Sequence, residues 1–119
     1  MNQMNLELLY GVYELQKIEN FVNGEKTSLT AISGMFTFTR DHRVSVVSGS
    51  NEWVMAYVGS FEVKNTHLLM KAEACVKREL EGTILTREII KLDGEWLVLK
   101  SANQEGGYTE LSWKKKISL

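Results

Sequence analysis

Three side chains in this chain have the chemistry to act together on a bound molecule: the phenol of Tyr57, the carboxylate of Glu73 and the guanidinium of Arg87. A guanidinium offers a planar fork of donors that matches a carboxylate or another anionic group. A phenol set in an apolar wall seeks a hydrogen-bond partner, which a guest can supply. Grouped, the three make a polar anchor for a ligand, or a catalytic set able to move a proton. The same residues read equally well as opposite charges laddered across the outer faces of neighbouring strands. The choice depends on which way each strand faces.

Other familiar chemistry is missing from the sequence. His42 and His67 have no metal-ligand spacing with Cys75, so no metal is expected, and no cofactor is implied. No Gly-x-Ser-x-Gly elbow and no phosphate-binding loop occurs; Gly106-Gly107 reads as a loop. Glu79 and Glu81 read as solvated charges at a strand connection, and Cys75 as a buried inert thiol.

The elements that must position these groups are strands. Phe36 and Phe38 alternate with Thr37 and Thr39, and Val44 and Val46 with Arg43 and Ser45. Met55, Tyr57 and Phe61, then Leu97 and Leu99, then Leu111 and Trp113 keep the same period of two. There is no proline, so Gly, Asn, Asp and Ser supply every break. Asp93-Gly94 is the clearest hairpin turn, of the type that needs positive φ twice. The pattern predicts eight strands, at roughly 9–20, 34–40, 43–48, 53–63, 67–76, 82–92, 95–101 and 108–115. Residues 1–9 suit one helical turn or an arm. Residues 25–33 lack a period and read as a longer loop or short helix, placed to act as a lid. Short links between eight strands predict an all-β, antiparallel up-and-down barrel, since closure removes exposed edges. A two-sheet sandwich is the competing arrangement.

Strand 67–76 decides most about the interior. One face carries Leu68, Met70, Ala72, Ala74 and Val76; the other carries His67, Leu69, Lys71, Glu73 and Cys75. With the apolar set inside, the two alanines leave space. With the other set inside, Lys71 and Glu73 need partners, because an unpaired buried charge costs several kcal/mol. Arg87 shares a face with Leu85 and Ile89, and Glu88 with Ile84 and Ile90. The expected ligand-binding residues are Tyr13, Phe36, Phe38, Met55, Tyr57, Met70, Arg87 and Trp113, the aromatic ones reading also as plain core. Trp53 and Trp96 sit beside turns and are expected to ring the mouth.

The 119 residues suit one domain spanning 1–119, at 44% hydrophobic and 24% charged. A formal net charge of -1 provides no field for nucleic acid. The Lys114-Lys115-Lys116 run reads as a solvated strand end. No secretory signal or membrane-spanning stretch is seen, and a single cysteine allows no internal disulfide, so a cytoplasmic protein without membrane partners is expected.

Several segments, in order, resemble bacterial lipocalin-like domains. Leu9-Tyr10-Gly11-Val12-Tyr13-Glu14-Leu15 is similar to their first strand, with Tyr13 where a tryptophan is usual. Ser33–Thr39 and Asp41–Val46 resemble their strand–turn–strand unit, and Ala56–Val63 their central strand. Glu81-Gly82-Thr83, then Arg87, and the closing Leu111-Ser112-Trp113-Lys114-Lys115 complete the likeness, with lysine rather than arginine after Trp113. The resemblance implies a small calycin-type barrel. Its relatives include binding proteins and barrel-shaped enzymes acting on natural-product chains. The function expected is therefore binding of a small hydrophobic or amphipathic molecule in the barrel. The alternative is an isomerase or cyclase that holds a polyketide-like intermediate in a reactive fold. Whether the chain is an enzyme stays open at this point. Homodimerisation is expected through an outer sheet face that the sequence does not locate.

Overall fold

Apolar residues at every second position give each strand one face for a core and one for water. In the computed structural model, which describes residues 5–103 and 106–119, there are nine strands, and all but the second carry this pattern. They are β1 (Gly11–Val22), β2 (Glu25–Ser28), β3 (Ser33–Phe38), β4 (Arg43–Gly49), β5 (Val54–Lys64), β6 (His67–Cys75), β7 (Ile84–Leu92), β8 (Trp96–Ala102) and β9 (Tyr108–Ser118). All pairings are antiparallel, in the order β2-β1-β3-β4-β5-β6-β7-β8-β9, and β1 also pairs with β9. That last pairing closes an eight-stranded up-and-down barrel, and the sandwich alternative falls.

The ninth strand corrects the expectation of a loop or short helix over residues 25–33. β1 is longer than its neighbour: Gly11–Glu14 pair with β3, and Glu19–Val22 extend past it and pair with β2. Asn23 and Gly24 make the turn, with φ of 53° and 78°. Lys26 on β2 reaches the buried carboxylate of Glu19 at 3.2 Å. The strand pairs along β1 and does not form a lid. The Asp93-Gly94 turn also departs from expectation. Only Gly94 has positive φ, and the Asp93 carboxylate accepts hydrogen bonds from the Glu95 and Trp96 amides at 3.0 and 2.7 Å.

One end of the barrel is plugged. A 3-10 turn at Leu6–Leu8, capped by the Asn5 side chain, places Leu9 fully buried beneath the strands. This matches the expected helical turn over residues 1–9, of which 1–4 lie outside the described residues. Phe38 stands edge-on to Tyr13 at 5.9 Å and to Phe61 at 5.2 Å. Such pairs contribute about 0.5–1.5 kcal/mol each beyond the area they bury. Lys115 lies 5.5 Å above the Tyr13 ring and donates to the Leu8 carbonyl at 2.8 Å. Cation packing across the floor is thus supplied by a lysine two residues after Trp113. Burial lowers the Lys115 pKa.

β6 changes face partway along. Val58 pairs with Ala74 and Gly59 with Ala72, so Glu73 is an extra residue bulging from the ladder. Before the bulge Leu68, Met70 and Ala72 point in; after it Cys75 is buried while Ala74 and Val76 face out. The uniform apolar face expected for this strand is corrected accordingly. Gly59 permits the distortion, because a Cβ there would sit 1.7 Å from the Lys71 carbonyl oxygen. Among the described residues no helix is long and apolar enough to cross a membrane.

Gly59→Ala should therefore cost about 1–3 kcal/mol in urea unfolding through overpacking against backbone. Ala74→Gly, on the outward side of the same bulge, should cost under about 1 kcal/mol. Equal stabilities for Gly59→Ala and the parent would contradict this account of the bulge.

Candidate functional site

With one end plugged, the space inside lies toward the other. A cavity of about 160 Å³ opens there. Phe36 of β3, Met55 and Tyr57 of β5, Met70 of β6, Arg87 of β7 and Trp113 of β9 line it. Alternation explains each inward side chain. Arg87 lies between Leu85 and Ile89 on its strand, opposite the fully buried Leu68, so its side chain belongs to the inner face. Ile84 and Ile90, on the other parity, are exposed.

Two of the expected lining residues sit elsewhere. Tyr13 and Phe38 belong to the plug, and the Tyr13 hydroxyl donates to the Leu9 carbonyl at 2.9 Å with that of Leu8 at 3.0 Å. Glu73 is placed on the outside, where Arg43 grips it through two bonds of 3.0 and 2.9 Å. The expected grouping of Glu73 with Arg87 and Tyr57 does not form, because the bulge and strand face direct the carboxylate to solvent. Trp53 is at the mouth of the cavity, but Trp96 is at the plugged end, with Lys114 over its ring at 5.7 Å.

Five lining residues were not singled out as ligand-binding from sequence: Val46, Ser48, Trp53, Leu99 and Leu111. Ser48 continues the inward parity of Val44 and Val46, and Leu111 that of Trp113. The alternation of the strands carries the signal for both.

The polar groups of the cavity have few partners. Tyr57 donates to the thioether of Met70 at 3.4 Å, a weak acceptor. Burial raises its pKa to about 12, against the pull of the nearby Arg87 charge. At neutral pH it is a hydrogen-bond donor rather than a base. The Trp113 indole N–H is buried and has no acceptor among the described residues, a condition that costs about 1–3 kcal/mol. Arg87 donates to the adjacent Thr86 carbonyl at 2.9 Å and pairs with no carboxylate among the described residues. No group of His, Cys, Asp and Glu among them is arranged to hold a metal ion.

A second concavity, of about 500 Å³, lies mainly on the outer faces of β3 to β6. Met35 pairs with Val47 and Val47 with Ala56, while Val58 pairs with Ala74 beside them. Met35, Val47, Val58 and Val76 are each about half exposed.

The raised Tyr57 pKa makes a pH prediction. A phenol that ionises at 10.0 when free and about 12 when folded contributes stability fully present below pH 10. As pH rises through this window the unfolded state loses its proton first, so that contribution is lost. Unfolding midpoints should fall between pH 10 and 12, and less steeply in Tyr57→Phe. Identical slopes in the two proteins would show that Tyr57 is not buried as described.

No protein-family model matches this sequence, and no curated protein is similar to it in sequence. Solved structures are similar in shape. A lipocalin-like protein from Bacteroides uniformis ATCC 8492 superposes with a TM-score of 0.59 at 15% identity, covering 92% of this chain and 99% of that one. An uncharacterized protein from Bacteroides eggerthii DSM 20697 gives 0.57 at 13% identity, covering 90% and 98%. A de novo designed fluorescence-activating β-barrel also gives 0.57, at 10% identity, covering 95% and 100%. At such low identities the likeness speaks for the fold alone, and this chain has the lipocalin-like barrel fold.

Proposed function

We propose that this protein binds a small hydrophobic or amphipathic molecule inside its barrel. The observation that carries the reading is the cavity between Phe36, Met55, Tyr57 and Trp113, in a barrel whose other end is tightly plugged. An apolar wall with a few polar groups is the usual composition of a small-molecule site. That a designed barrel of the same fold is described as fluorescence-activating is consistent with a guest in such an interior. The volume argues for binding over the folding of a polyketide-like chain. About 160 Å³ is close to the ~150 Å³ that admits benzene, and below the ~300 Å³ at which drug-sized pockets begin. The geometry also favours binding over catalysis. Tyr57 holds its proton, and Glu73, the carboxylate expected beside it, faces outward.

A second copy of the chain fits the outer groove of β3 to β6. Contiguous apolar surface of this kind is uncommon on monomers. Glu81 is the one charged residue lining the groove, and the remainder of the lining is apolar or neutral. A reducing, cytoplasmic setting suits the free, buried Cys75.

Native mass spectrometry of freshly purified protein tests both points. The expected result is a dimer, with a non-covalent adduct of low mass that is absent from the denatured spectrum. Leu99→Trp, which fills the cavity, should lose the adduct and keep the dimer. An adduct that persists in Leu99→Trp would place the guest outside the barrel; a monomer would remove the outer face as an interface.

A further inference from the structure

We infer that the guest carries an anionic, carboxylate-type head on a compact apolar body, with the head held by Arg87. This rests on the proposal that the cavity is a binding site, and it names the chemistry of what binds.

The polar side chains at the cavity are unbalanced. Arg87 and the Trp113 indole present donors only, Tyr57 and Ser48 add hydroxyls that donate as well as accept, and no Asp or Glu lines the space. Arg87 is the decisive member. It sits half-buried on an inner face, between Leu85 and Ile89 and opposite Leu68, at the wall of the cavity. Two carboxylates near it in the chain and sheet, Glu88 and Glu73, lie on the outward side of their strands. Glu88, its chain neighbour, is on the outward parity opposite Lys100. Glu73, on the adjacent strand, is held by both arms of Arg43. What Arg87 does contact, the Thr86 carbonyl, occupies one of its five N–H donors. The remaining fork matches two oxygens of one carboxylate.

The buried Trp113 indole points to the same conclusion independently. It is 1% exposed and without an acceptor among the described residues, and it lines the cavity that Arg87 lines. Tyr57, bonded only to a thioether sulfur, has a hydroxyl that would exchange that contact for an oxygen. A guest rich in acceptors satisfies these donors, whereas a hydrocarbon leaves them unpaired and a cation is repelled by Arg87. The volume limits the body to about one aromatic ring or an alkyl chain of equal bulk.

Three probes of one size separate the charges: benzoate, benzyl alcohol and benzylammonium, titrated calorimetrically into the full chain. Benzoate should bind at least about tenfold more tightly than benzyl alcohol, and benzylammonium most weakly. Arg87→Met should weaken benzoate about ten- to a hundredfold and leave benzyl alcohol within about twofold. Arg87→Lys, which keeps the charge without the fork, should fall between. Benzyl alcohol binding as tightly as benzoate, or benzoate unaffected by Arg87→Met, overturns the anionic head and leaves the cavity as a binding site. Failure of all three probes to bind the parent overturns both.

Discussion

The pairing of β1 with β9 is the constraint from which the rest of the molecule follows. Joining the first strand to the last closes eight strands on one another, with the short β2 left along β1, and fixes an inner circumference of eight strands. Inward side chains must then fill that circumference. At one end Leu9, Tyr13, Phe38 and Phe61 do so almost completely. At the other, the inner face offers Ser48, Met55 and Arg87, whose sizes and shapes leave a gap. The aromatic chain connects the two regions: Phe38 stacks on Phe36 at 4.4 Å, and Phe36 meets Trp113 edge-on at 4.9 Å. The floor of the cavity is therefore the roof of the plug, and its rigidity comes from core packing rather than from the mouth.

That division of labour explains the electrostatics. Several charges outside the barrel are paired, across an intervening strand as with Arg43 and Glu73 or between a strand and a turn as with Lys114 and Glu95, in exposed pairs worth little to stability. The inner face of the open end holds a cation, a phenol and an indole N–H with almost no acceptors between them. Folding alone does not favour the Trp113 N–H there, since burying a donor without a partner is destabilising. Its presence where the packing is loosest gives one cause for both features.

Much of this was legible in the sequence, for a definite reason. Strand period is local, so the inward parity of Phe36 and Phe38, Val44 and Val46, or Leu97 and Leu99 is visible without knowledge of neighbours. What was not legible depends on partners distant in sequence. Cys75 replaces Ala74 inside because a glycine on the adjacent strand admits an extra residue. β2 is a strand only because β1 outruns β3; its own four residues are all exposed and carry no period. Parity places Tyr13 and Phe38 inside but says nothing of height along the barrel axis, so plug and cavity look alike. The outward Glu73 finds Arg43 two strands away, a contact set by strand tilt and register.

The central claim is that the open end of the barrel is a preformed site for a small acid, and a crystal structure grown with benzoate tests it most directly. The account predicts the ring between Phe36, Tyr57 and Trp113, with the carboxylate on the Arg87 guanidinium and the plug unchanged. A barrel in which Met55 and Trp53 have collapsed into the space, with benzoate absent or bound only outside, would contradict it.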